Sequence, residues 1–499
     1  MKDITDTKHV AISVGNSDYS DQPPFSPDTF FSEYQFNRQT LSEKKNTAYK
    51  AVRNALGLLG LDAENYGCKN WNPLGQIIKA GDTVVLKPNF VRDFRETLPG
   101  DDNCLITHGS VIRATVDYVY IALKGKGRIM IADAPQNDAN FDEIKRMAGL
   151  NEIKEFYKKQ AGFEIEVYDL RPEQAKKVNG VIVGHEILPG DPAGYVKVNL
   201  DSNSMFAEIE DLCEKLYGSE YDTSEIRRHQ TNGVHEYLVS KTILDADCII
   251  NLPKLKTHKK TGVTLCMKNL VGINGNKNWL PHHREGTPCQ GGDQFSDDSI
   301  KHKMEREVMK CFRRFFPLFG PIRAVIAKPI KAVGKSIFGD TNTDTIRSGN
   351  WYGNDTTWRM VIDLNRILMF ADTNGNIMEH PTRKVFHIVD GIVGGEGNGP
   401  LDTTSKPIGI VVTGSNMVAV DLTCARLMGF DYKLIPVLYR SLTNSSLPLI
   451  TGTYSDIVCR SNNEQFNRVL CEIEGETFIF KPHFGWKKHI EINNSGSKS

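Results

Sequence analysis

Short apolar runs recur along the chain, each closed by polar residues. Positions 10–14, 83–86, 128–132, 164–168, 248–250, 385–389 and 408–412 are too short for helices and read as strands. Between the early runs, apolar positions recur at helical spacing over 41–59, 107–123 and 142–160, with Thr107 the expected N-cap of the second helix. A further helix is expected over 417–428, capped by Asn416 and closed by Gly429. Strand, helix, strand, helix, strand predicts an α/β fold: a mostly parallel, doubly wound sheet with insertions and a small β-rich C-terminal tail. The boundaries follow from where that rhythm breaks. Residues 1–170 form an N-terminal α/β half and 171–246 a mixed excursion, with a strand at 195–199 and a helix near 205–216. Residues 247–300 hold a basic strand-end motif and loop, and 301–348 a basic amphipathic insertion. Residues 349–449 form a C-terminal α/β half, and 450–499 a β-rich tail with a strand at 476–480 and a disordered end.

Five strands end in polar motifs: Lys87-Pro88-Asn89, Asp133-Ala134-Pro135, Asn251 through His258, Asp390-Gly391 and Gly414-Ser415-Asn416. If the strands are parallel these ends share one rim, where open sheets bind ligands. The segment after residue 247 is the richest. Pro253 stops an apolar strand, and Lys254, Lys256, His258, Lys259, Lys260 and Lys268 follow, interleaved with Thr257, Thr261, Thr264 and Asn269. That pattern points to an anion site; a solvated basic loop is the alternative. Lys87, Lys254 and Lys268 are the expected anion binders, with Asn89 and Asn269 as further donors. His258, Lys256, Asp390 and Asp133 are the candidate catalytic groups, because ammonium, imidazole and carboxylate together can bind an anion and move a proton. Lys256 is expected near the surface, where its loss costs less than ~0.5 kcal/mol. The glycine-rich run 391–400 reads as a loop able to wrap a ligand, with Glu396 and Asn398 its only polar side chains. Asp421 is a ligand-binding candidate that could equally serve its own helix dipole. Lys87 could merely cover the sheet end, and Asp133 and Asp390 could cap helices. His108 is the second histidine placed for acid–base work, and the loop at His282-His283-Arg284-Glu285 is expected to contact substrate.

Charge narrows the partners. Lys plus Arg and Asp plus Glu both number 61, so no global field draws the chain to nucleic acid, and a local patch must do any electrostatic recognition. No stretch approaches the ~18 apolar residues of a membrane span, and the first residues show no secretory signal. The ten cysteines form no CxxC pair, so no iron–sulfur or zinc motif is read, no cofactor or metal is assigned, and a reducing, cytoplasmic setting is expected. Residues 301–336 alter this picture locally. They are basic and aromatic, with Met309, Phe312 and Phe316 at helical spacing and Pro317, Pro321 and Pro329 breaking the stretch. Such a segment fits an anionic membrane surface, making the protein membrane-peripheral; a lid helix packed on the domain is the alternative.

The stretches NLPKLKTHKKTGVTLCMKNLVG, GDTVVLKPNF, RIMIADAPQ, VDGIVGGEGNGP and SNMVAVDLTCARLMG resemble, in order, the domain of unknown function 362 family over roughly residues 8–430. Some members carry a ferredoxin-like cysteine cluster, which this chain lacks. The basic, histidine-containing segment also resembles faintly the nickel-pincer lactate racemase family, whose histidines and lysine serve hydride transfer at a hydroxylated carbon; no residue role is carried over. The favoured reading is an enzyme acting on a small anionic or hydroxylated metabolite, with racemase-, epimerase- or oxidoreductase-like chemistry. The alternatives are a metal- or cofactor-dependent redox protein and a non-catalytic ligand-binding module.

Overall fold

The computed structural model describes residues 8–95, 103–178, 181–219, 223–315, 345–444, 446–474 and 478–492. Ten strands make its main sheet: β1 (His9–Val14), β2 (Thr83–Pro88), β3 (Arg128–Asp133), β4 (Ile165–Asp169), β5 (Cys248–Leu252), β6 (Lys254–His258), β7 (Gly262–Thr264), β8 (Lys384–Asn398), β9 (Asp402–Gly414) and β10 (Val458–Ser461). Their order is β10-β1-β9-β8-β5-β2-β3-β4, with β6 paired to β8 and β7 to β6. Strands β8, β5, β2, β3 and β4 run parallel, with Ile250 beside both Leu86 and Phe386. β9 is antiparallel to its neighbours β8 and β1.

The chain leaves β2 in one direction to build β3 and β4. It then returns to place β5 on the other flank of β2, with β8 beyond. The order therefore reverses between β2 and β5, the kind of crevice where doubly wound sheets take ligands. Alternation along the strands feeds two cores. Val84, Leu86, Ile129, Ile131 and Ile250 pack under the helices Thr47–Leu58, Gly109–Leu123 and Leu150–Ala161. Val85, Met130, Ile249 and Val385 face the opposite layer, with the helices Thr357–Phe370 and Met417–Leu427.

Several local expectations are corrected. The first helix begins at Thr47, where the Asn46 side chain accepts from the Tyr49 amide. His108, not Thr107, caps the second helix, its Nδ1 accepting from the Ser110 amide at 3.1 Å. Thr107 instead donates to the Leu252 carbonyl and accepts from the Asn89 amide, tying the ends of β2 and β5 together. The third helix is two, Phe141–Met147 and Leu150–Ala161, broken at Gly149 with φ +59°. The stretch Met205–Lys215 is a 3-10 helix interrupted at Ile209.

Two larger corrections concern the site. The basic segment after Pro253 is not a loop: it resumes as β6, buried and parallel to β8. The glycine-rich run is not a loop either. It is the second half of β8, paired with β9 as far as Asn398 opposite Asp402. A Cβ at Gly391 would meet Ile410 at 2.7 Å, and one at Gly395 would meet Thr403 at 2.9 Å, so glycine there answers crowding rather than a need to bend. The tail contributes β10 to the sheet edge beside β1, and otherwise 3-10 turns; Phe478–Phe480 form no strand, while the start of that expected strand and the expected disordered end lie outside the described residues. In the basic insertion the helix Ile300–Phe315 is described; the side chains of Phe312, Phe315, Phe316 and Phe319 lie outside the described residues.

Candidate functional site

A cavity of about 270 Å³ opens at the rim of the sheet, over the ends of β2 and β3 and against β6. Lys87 and Asn89 come from the end of β2 and Asp133 from the end of β3. Lys256, His258, Lys259 and Lys260 come from β6 and the turn after it. Lys268, Asn269 and Gly272 follow on the short helix Cys266–Asn269 and the turn beyond, and Lys277 and His282 close the wall. Six lysines thus meet two carboxylates, Asp133 and Asp138, and the second of these is already paired with Arg92.

The floor is a polar network with little freedom. Lys87 Nζ lies 2.8 Å from Asp133 Oδ1 and donates to the Pro88 carbonyl, while Asp133 Oδ2 accepts from the Phe90 amide. Asn269 donates to the Lys87 carbonyl and to Asn251, and accepts from Asn89 at 3.0 Å. Gly272 lies directly against this pair: a Cβ there would fall 2.2 Å from Asp133 Oδ1 and 2.8 Å from Lys87 Nζ. Only glycine lets the turn approach so closely. Two buried oxygens on cavity residues, Asn89 Oδ1 and Thr264 Oγ1, have no partner among the described residues. Such atoms ask for a ligand or a water.

Burial sets the charge of the walls. Lys256 Nζ donates to the Leu105 carbonyl at 2.6 Å, yet desolvation, with Lys254 and Lys268 nearby, pushes its pKa down to about 7. Burial and Lys259 lower Lys260 to about 7, although it donates to the His282 and Ser348 carbonyls. Lys277 is lowered to about 7 and Lys268 to about 8, again chiefly by burial. Lys256 is thus no surface lysine, and its expected near-neutral loss does not apply.

The two histidines are complementary. His258 Nδ1 accepts from the Lys260 and Thr261 amides at 3.0 and 3.2 Å, which leaves the proton of the neutral ring on Nε2. His282 Nδ1 lies 2.8 Å from the Leu280 carbonyl, an oxygen that can only accept, so Nδ1 carries the proton and Nε2 a lone pair. Burial and the surrounding lysines hold His258 well below its ordinary value and bring His282 to about 3. His258 can therefore present a donor and His282 an acceptor.

The family model described as "Domain of unknown function (DUF362)" matches residues 184–426. That stretch, just under half of the chain, is similar to the DUF362 family. No curated protein matches it. A crystal structure of a Thermotoga maritima protein, determined by the Northeast Structural Genomics Consortium, is similar at 11% identity with a TM-score of 0.32. The likeness covers 76% of this chain and 58% of that one, so the chain spans little more than half the length of the structure it matches. The DUF362 match takes in β5 to β9 and hence the lysine-bearing wall; Lys87, Asn89 and Asp133 lie before it.

Six sequence candidates lie away from the cavity lining, and three of them, Lys254, Asp390 and His108, share a separate buried cluster. Lys254 pairs with Asp390 at 3.0 Å, with both side chains wholly buried. Tyr19 donates to Asp390 Oδ1 at 2.5 Å, accepts from Lys254 and stacks on His108 at 3.9 Å between ring centres. His108, with its pKa lowered to about 3 by burial, is part of this cluster. Glu396 accepts from Lys406 and from the Lys481 amide. Asn398 ends β8. Asp421 accepts from the Cys266 and Met267 amides at 2.7 and 3.0 Å, capping the helix that carries Lys268; burial pushes its carboxyl up to about 7. Lys277, given no role by the sequence, lines the cavity, and of the loop at 282–285 only His282 does so among the described residues. Among the described residues no group of three or more His, Cys, Asp or Glu is placed to hold a metal, and no helix is long and apolar enough to cross a membrane.

Proposed function

We propose that the chain is an enzyme that binds a small anionic or hydroxylated metabolite in the cavity at the β2–β5 switch point. One observation carries the reading: among the described residues six lysines line a cavity whose only carboxylate not held by an arginine is Asp133, and burial lowers the pKa of five of them. An anion supplies the missing countercharge. Lys256, Lys260, Lys268 and Lys277 hold it, and the His258 Nε2 proton, the His282 lone pair and Asp133 act on a hydroxyl or carbonyl beside it. Because the free lysines are partly neutral near pH 7, binding takes up protons. Titration calorimetry in two buffers of different ionisation enthalpy checks this. Malate or orthophosphate should bind with proton uptake, glycerol should not bind, and Lys277→Met should weaken binding at least tenfold. Binding without any turnover would favour the non-catalytic module.

A cytoplasmic, membrane-peripheral setting belongs to the same proposal. On the helix Ile300–Phe315, Ile300, Met304 and Val308 are exposed at four-residue spacing, with Lys301, Lys303 and Lys310 also exposed. A basic face with an apolar stripe suits an anionic bilayer surface. Vesicle flotation should recover the protein with anionic and not with neutral lipid, and Met304→Glu should abolish recovery.

A further inference from the structure

Four of the cavity lysines have their Nζ atoms committed to oxygen partners. Lys87 holds Asp133, Lys256 the Leu105 carbonyl, Lys260 the His282 and Ser348 carbonyls, and Lys277 the Asn274 carbonyl. Lys268 differs. It lines the same cavity, is half-buried, and has no hydrogen-bond or ion-pair partner among the described residues. Its backbone, by contrast, is fixed. Asp421 caps the two residues before it, and Asn269 behind it is bonded to Lys87 and Asn251. A free amine on a rigid base, facing an anion-binding space, is the arrangement of a lysine nucleophile.

Resting on that anion-binding reading, we propose that Lys268 forms an imine with an anionic carbonyl compound, an aldehyde or 2-oxo acid, bound in this cavity. The neighbouring lysines take the carboxylate and leave the carbonyl carbon to Lys268. The Nζ lone pair bonds to that carbon while the carbonyl π pair moves to oxygen, which takes a proton from the His258 Nε2–H or an adjacent ammonium. Nitrogen then loses its extra proton to Asp133 or to the His282 lone pair. The carbinolamine hydroxyl leaves as water after protonation, and the nitrogen pair closes the C=N bond. The sum is amine plus carbonyl giving imine plus water, with no oxidant or reductant. Burial and the nearby Lys87 bring Lys268 to about 8, so a useful fraction is neutral near physiological pH.

Sodium glyoxylate is the probe, with borohydride to reduce any imine to a stable secondary amine and peptide mass spectrometry to place it. The full chain at pH 8 should carry the carboxymethyl group on Lys268 at least tenfold more than on Lys256, Lys260 or Lys277. Excess orthophosphate should suppress the labelling. Lys268→Arg, which keeps the charge, should lose it, with circular dichroism checking the fold. Labelling spread evenly over the lysines, or centred on another cavity lysine, overturns the proposal. If glyoxylate still binds by calorimetry in that case, the anion-binding reading survives. If glyoxylate neither binds nor labels, both fall.

Discussion

Lys254→Ala should cost the protein about 3–5 kcal/mol, because breaking a buried ion pair leaves its partner charged in a dry interior. Lys254 and Asp390 are both fully buried and 3.0 Å apart, and Tyr19 closes the group from the other side. Asp390 also accepts from the His108 amide, so the pair joins β6 and β8 to the start of the helix Gly109–Leu123. Removing the ammonium leaves the carboxylate, among the described residues, with only neutral donors, the Tyr19 hydroxyl and the His108 and Ile392 amides at 3.0 and 3.3 Å. Urea unfolding should show the loss as a lower midpoint with an unchanged slope. The double variant Lys254→Met, Asp390→Leu should recover most of it, since removing both charges removes the desolvation cost as well. A single variant within 1 kcal/mol of wild type would show that water reaches the pair.

The second large effect is electrostatic. In the folded chain burial brings Lys256, Lys260 and Lys277 to about 7 and Lys268 to about 8, all below the ordinary lysine value of 10.5. Between those values the unfolded chain binds more protons than the folded one, so stability must rise with pH. Other groups bound the useful window. Asp421, raised to about 7, acts with the opposite sign, but it is already half titrated at pH 7 and takes back only about 0.4 kcal/mol above it. The buried thiols Cys213 and Cys248, raised to about 12 from 9.0, begin to oppose the lysines above about pH 9. From pH 7 to 8.5 the lysines dominate, and stability should climb by on the order of 5 kcal/mol. A saturating anion should flatten the climb, because it retains the ammonium forms, and its affinity should fall across the same range. Thermal melts in matched ionic strength with and without orthophosphate check both. A flat profile without anion would mean the lysines stay charged.

The sheet was legible because apolar runs of strand length, separated by helical periods, leave few topologies open. The cavity's lower wall was legible for the same reason: residues directly after a parallel strand, such as Lys87, Asn89 and Asp133, land on the rim. Lys254 was not. Alternation along β6 places it with Lys256, but the register against β8 shifts between the two, and Lys254 turns to Asp390 instead. Nothing local announces that shift. The glycine-rich half of β8 was misread because the crowding that demands glycine comes from Ile410 and Thr403 on the paired strand β9 and from Phe480 in the tail, contacts that only the pairing and the tertiary packing create. Lys277 and His282 belong to no periodic element, so their approach to the cavity is set by tertiary packing alone. Tyr19 lies in a polar, aromatic stretch with no pattern to mark it.

β6 lies inside the sheet, with β8 on one side and β7 on the other. Its backbone amides should therefore exchange with deuterium about as slowly as those of the central strands, and change little when a ligand enters. A ligand meeting such a wall has few conformations to quench. Its association should then be fast, limited by encounter and desolvation, and free of the slow closing phase that sites built on loops display.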